Sequence, residues 1–366
     1  MSKETIDTDK VLEKIERAKQ ARKSKFYLRD NTITLSHGSG GKATCNLVEG
    51  IFAPAFGNPL LDRMEDSALC EVPGLEGWLA FTTDTYVVNP LIFPGGNIGL
   101  LAVHGTINDL AVSGARPLYL SAGFILEEGF SIETLRQIVT SMADAAREAG
   151  VPIVTGDTKV VQRGKGDGVF INTAGVGLIP PGVVVGQDRV RPGDKVLLSG
   201  MIGDHGITIM LEREGLDLSS EIQSDTAPLH TLTLAVLAAG GEGIHCMKDP
   251  TRGGIATTLN EIALGAGMAI ALQEEAIPVR QEVRGACEIL GLDPLTIANE
   301  GKLLAIVAPE VAERVLSVMR SHPLGEESAL IGTVQASPAG MVFMRTEIGG
   351  TRVLDMLVGD PLPRIC

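Results

Sequence analysis

The sequence predicts an α+β fold of two domains, with mixed sheets, flanking helices and a flexible C-terminal tail, on three observations. Short apolar runs rich in β-branched residues alternate with stretches of helical spacing, the pattern of sheets covered by helices. The 366 residues suffice for two ordinary domains around a large core. A turn at RPGDK (191–195) interrupts the pattern near the middle, and the same mixture resumes after it. The chain then divides into a polar extension (1–30), a first domain (31–188), a second domain (189–349) and the tail (350–366).

The extension has helical spacing at Val11, Leu12, Ile15 and Ala18, but its apolar surface supports only a marginal helix. In the first domain SALCEV, WLAFTTD, LYLSAGFIL, VPIVTGD and VFINTAGVGLI read as strands. NIGLLAVHGTINDLAVSG reads as a helix closing on Gly114. SIETLRQIVTSMADAAREAG reads as another, with Ser131 as N-cap and Gly150 as stop. Its apolar face is Ile132, Leu135, Ile138, Val139 and Met142. The second domain opens on the strand VLLSG and the glycine-rich loop GMIGDHG. Helices follow around 227–240 and 255–265, strands near 268–272 and 303–308, and a helix through 309–320. Pro361 and Pro363 exclude helix from the tail and predict an extended segment.

Composition narrows the function. Aromatic residues are 4 % and hydrophobic residues 44 %, so Val, Leu, Ile and Ala must build the core. A formal net charge of −14 argues against nucleic-acid or anionic-membrane partners, both of which need a basic surface. It does not exclude ATP, because Mg²⁺ on carboxylates neutralises phosphates locally. No apolar stretch is long enough to span a bilayer and no signal peptide is visible, which predicts a cytoplasmic protein. Five cysteines (Cys45, Cys70, Cys246, Cys287, Cys366) without a CxxC pair fit a reducing compartment. The first four lie in or beside apolar runs and read as small buried hydrophobes.

Five aspartates stand where strands or helices meet polar loops: Asp66, Asp84, Asp109, Asp157 and Asp249. Singly each reads as a turn former; gathered, they could hold Mg²⁺ along a triphosphate. SHGSGGK, with Gly40, Gly41 and Lys42, could line an anion, but it is no P-loop, since Ser36 and Ala43 break that spacing. FPGGNIG, with Gly95 and Gly96, leads into a helix N-terminus, and DPTRGG sets Arg252 and Gly253 before another. Glu300 in ANEGK is either a general base or a turn carboxylate paired with Lys302. Lys159 either steadies developing negative charge or is a surface lysine. His37 and His205 lie in glycine loops and read as satisfied or solvated, with a ligand contact as the sharper alternative. Cys366 ends a tail that could extend on the order of 50 Å. Its position is either chance or that of a swinging carrier.

In this order SHGSGGK, EDSAL, TTDTYVVNPLIFPGGNIG, TINDLAVSGA, VTGDTKVVQRG, SGMIGDHG, DPTRGG, ANEGKL and the final PRIC resemble the HypE family of hydrogenase maturation factors. The resemblance runs from about residue 31 to 366, and PRIC separates that family from related ATP-dependent synthetases. It implies an aminoimidazole ribonucleotide synthetase-like fold, a homodimer paired through first domains, and ATP near that interface. It further implies that a carbamoyltransferase, HypF, loads a carbamoyl group on Cys366, and that ATP drives its dehydration to a thiocyanate. A HypC–HypD complex then takes the cyanide. On this resemblance Asp66, Asp84, Asp109 and Asp249 fall to Mg²⁺. Lys42, Gly40, Gly41, Asp84, Gly95, Gly96, Asn108, Asp157, Arg252 and Gly253 fall to ATP. Cys366 is the carrier, Glu300 the base and Lys159 the polarising cation. The rivals are a related synthetase acting on a free small molecule, and a non-catalytic scaffold with a cysteine tail.

Overall fold

The computed structural model describes residues 31–214, 222–357, 359 and 364–366; the extension at 1–30 and the two tail prolines lie outside them. The first sheet is made of β1 (Ala68–Cys70), β2 (Trp78–Tyr86), β5 (Arg116–Glu127), β6 (Ile153–Val161) and β7 (Val169–Ile179), while β3 (Ile92–Phe93) and β4 (Gly96–Asn97) form a small ribbon. Its order is β1-β2-β7-β5-β6, with β5 and β6 parallel. All five strands expected in this domain are present.

The second sheet comprises β8 (Lys195–Leu198), β9 (Ile244–Lys248), β10 (Ala269–Gln273), β11 (Leu304–Val307), β12 (Ala329–Gln335), β13 (Met341–Arg345) and β14 (Thr351–Leu354). Its order is β14-β13-β10-β12-β8-β11-β9, and it too is mixed, since β10 and β13 run parallel. β14 uses residues the sequence assigned to the tail.

The longer helices are α1 (Ile98–Val112), α2 (Ile132–Ala149), α3 (Asp204–Glu214), α4 (His230–Gly240), α5 (Gly254–Ala266), α6 (Gln281–Leu290) and α7 (Pro309–Arg320). α1 is apolar on every side and accordingly buried, between the first sheet and α4. α2 starts on the Ser131 side chain and stops on Gly150 at φ 68°. Its buried stripe is Ile138, Met142, Ala145 and Ala146. Ile132 and Val139, expected on that face, are exposed because they form a separate stripe seven residues apart. α3 begins inside GMIGDHG, where the glycines suggested only a loop.

One core cluster joins Tyr86, Ile107 and Ile138 of the first domain to Ile207, Val283 and Ile297 of the second, and Ile365 and Cys366 close it. The end of the tail is therefore docked, with Cys366 only 8 % exposed. Cys246 and Cys287 are buried as expected, whereas Cys45 and Cys70 are half-buried. Among the described residues nothing covers the face of the first sheet away from α1, where Phe81, Tyr119 and Ile125 are exposed. The register puts Asp157 beside Gly123 and Lys159 beside Ile125 on that same outer face.

Candidate active site

Alternation along β2 turns Thr82, Asp84 and Tyr86 toward α1. The Thr82 hydroxyl lies within hydrogen-bond reach of the Asp109 carboxyl on α1 at 2.8 Å and of the Asp66 carbonyl at 2.9 Å. Lys248, buried at the end of β9, pairs with Glu65 and Asp66, each at 3.0 Å. The next residue, Asp249, completes the group. Burial, then the neighbouring carboxylates of Asp249, Asp84 and Asp66, hold the Asp109 acid well above the ordinary carboxylate range. Burial and Asp66 likewise push Asp249 up to about 7. Four of the five aspartates thus meet, drawn from both domains. Among the described residues, however, no three His, Cys, Asp or Glu side chains form a ready-made metal cage.

The tail reaches the same neighbourhood beside the chain that continues β2. Val87 N–H donates to the Cys366 main-chain oxygen at 3.1 Å, and Asn89 N–H to the Arg364 carbonyl at 3.2 Å. Arg364 donates back to the Val87 carbonyl and pairs with Asp167. Arg213 donates to the Arg364 carbonyl at 2.9 Å. His205, fully buried on α3, bonds the Ile365 carbonyl through Nε2 and Ser224 through Nδ1, both at 2.8 Å. A carbonyl only accepts, so Nε2 carries the proton; burial, which lowers the His205 pKa, agrees with a neutral ring.

So held, the Cys366 thiol lies against the Glu300 carboxyl and near Arg252 and Asp84. Burial first, then Glu300 and Asp84, raises the thiol above its ordinary value, against the pull of Arg252. Glu300 is also raised, by burial and then Asp84, Asp225 and Asp249. Its loop is fixed by its own N–H on Asp225 at 3.0 Å and by an Asp225–Lys302 ion pair at 3.0 Å. Lys302 thus serves Asp225, not Glu300. Arg252 donates to the Gly38 carbonyl at 3.1 Å, and a Cβ on Gly40 (φ +75°) would come within 2.6 Å of the Arg252 Cβ. Gly253 (φ +77°) caps α5 with Thr257 too close for any side chain.

Several predicted site residues have other work. Asn108 is consumed as scaffold: it donates to the Ala227 and Glu300 carbonyls and accepts from Leu229 N–H. Gly95 and Gly96 pack against residues 223–226, and Asn97 caps the Gly99 and Leu100 amides of α1, so these two amides are already engaged within the chain. In SHGSGGK the Lys42 N–H donates to the Leu357 carbonyl and the Gly40 N–H to Thr44, so this loop clasps the tail. A Cβ on Gly41 would strike the Leu357 carbonyl, and the Lys42 side chain is exposed. Asp157 and Lys159 pair with each other on the exposed outer face, away from Cys366 in the same chain. Sequence reasoning missed His205 as a tail contact, and it missed Tyr86. Period two from Asp84 would have found the latter.

Family models of AIR synthase related protein match residues 64–179 with the N-terminal domain and 191–345 with the C-terminal domain. Carbamoyl dehydratase HypE of Azotobacter vinelandii is 57 % identical over 343 residues, 94 % of this chain and 100 % of that protein. The chain belongs to the HypE family. A solved HypE in complex with ATP is 50 % identical with a TM-score of 0.77, covering 92 % of this chain and 100 % of that one. A HypE–HypF complex gives 0.81 at 47 % identity, covering 85 % and 99 %. HypE and the family models agree with the α+β fold described above, two domains with mixed sheets.

Proposed function

We propose that the chain uses ATP to dehydrate an S-carbamoyl group on Cys366 to a thiocyanate, the cyanide donor for the iron of nickel–iron hydrogenase. The observation carrying this reading is the Cys366 thiol seated between Glu300 and Arg252, with Asp84 and the carboxylate group beyond. The HypE solved with ATP supports the nucleotide, and the HypE–HypF complex supports HypF as a partner, to which this reading gives the loading of the carbamoyl group.

A carbamoyl oxygen is a poor leaving group. Phosphorylated by ATP, it departs as phosphate, and loss of the nitrogen's protons leaves C≡N on sulfur. Glu300 lies against the sulfur, in place to take an N–H proton once ionised. Arg252, strongly cationic beside Cys366, Asp84 and Glu300, offsets negative charge gathering on the transferred group. The crowding of Asp66, Asp84, Asp109 and Asp249 fits Mg²⁺, which needs carboxylates plus phosphates rather than a full protein cage and would neutralise phosphate charge. The exposed apolar outer face supports a homodimer, and any part played by Asp157 and Lys159 belongs at that interface. The buried thiol must leave its seat to be loaded and to deliver cyanide to HypC–HypD, with the cytoplasm as the setting.

Intact mass of carbamoylated protein before and after MgATP tests the reading. Loss of one water at Cys366, absent from Cys366→Ala although it still binds ATP, is the expected result. Turnover of a free small molecule by Cys366→Ala would overturn it.

A further inference from the structure

The Tyr86 side chain is 1 % exposed, and its Oη is buried without a hydrogen-bond partner among the described residues. Asp84 is close, but not in a geometry that closes a bond with the phenol. The hydroxyl is pressed onto α1, where a Cβ on Gly105 would come within 2.1 Å of it, so backbone approach fixes its place. The following residue, Val87, holds the Cys366 main-chain oxygen. Tyr86 therefore shares one buried cluster with the docked Cys366 and lies within the field of Glu300 and Arg252, which also act on the thiol. For folding alone phenylalanine would fill this volume equally, without burying an unbonded O–H.

Glu300 Oε1 is a second buried atom without a hydrogen-bond partner in the same cluster. The pair is one donor and one acceptor. A carbamoyl group on sulfur presents the complement, an accepting oxygen and a donating NH₂. We propose that the Tyr86 phenol donates a hydrogen bond to the oxygen of the carbamoyl group on Cys366 while Glu300 accepts from its nitrogen. The inference rests on the dehydration reading and adds a catalytic residue to it. No proton leaves the phenol. The bond orients the oxygen for phosphorylation and strengthens as negative charge grows there.

The test is Tyr86→Phe in the full chain, loaded by HypF and followed by intact mass after MgATP. Water loss per loaded chain should slow roughly 100-fold, the typical effect of removing one such donor. Affinity for ATP should stay within about twofold, because the donor meets the carbamoyl group and not the nucleotide. The variant should melt at or above the wild-type temperature, since an unbonded buried hydroxyl has been removed. A wild-type rate of water loss overturns the assignment. So does a lowered melting temperature, which would make the hydroxyl a structural bond. If wild-type protein itself loses no water, the dehydration reading falls and the tyrosine assignment with it.

Discussion

At one end of the site Asp66, Asp109 and Asp249 crowd together, with Lys248 placed among them and committed to Glu65 and Asp66. At the other end a protonated thiol, a raised Glu300 and Arg252 surround buried atoms that lack partners. Asp84 is felt at both ends. The first end is short of positive charge and the second is short of hydrogen bonds. A cation answers one deficit and a small polar group on sulfur answers the other. The two ends, each built from both domains, therefore differ in the kind of interaction left unfinished.

The contrast breaks most sharply at Glu300. Glu300→Gln keeps the shape and removes the base, and dehydration of carbamoylated protein should fall by about 10²–10⁴. Single-turnover mass measurements check this, and an unchanged rate removes the base from the scheme.

Asp249 probes the other end. Its pKa rises on folding from the ordinary range to about 7, so the folded protein loses stability as pH climbs through that window. Asp249→Asn should gain on the order of 1–2 kcal/mol over wild type at pH 8 without Mg²⁺, and little below pH 5. Thermal melts across pH measure it. A pH-independent difference would show that crowding of charge is not what distinguishes this end.

The smallest effect tests what seats the thiol. His205→Ala removes one bond to the tail, worth about 1 kcal/mol, so the Val87 and Asn89 amides should exchange with solvent roughly fivefold faster. Unchanged exchange would assign docking to Arg213 and Asp167 instead.

Much of this was legible in the sequence. The strands of the first domain and α1 follow from period and glycine stops, and four aspartates, Glu300 and Cys366 stand out by residue type and place. Other residues were not legible, because their partners lie far along the chain. Asn108 meets Ala227, Leu229 and Glu300, and Gly95 meets Ser224, contacts that no local pattern carries. Asp157 sits in a motif as suggestive as that of Asp84, yet strand register turns it outward. The position of Cys366 at the chain end suggests a mobile thiol, but main-chain bonds to residues 87–89 decide its seat, and side-chain types do not reveal them.

The raised pKa and burial of the docked Cys366 also bear on oxidative damage. Peroxides and disulfide partners attack thiolate, and little thiolate forms where water is excluded and carboxylates stand close. Seated in this way, Cys366 is held as an intact thiol, and any step that exposed it would also expose it to oxidation.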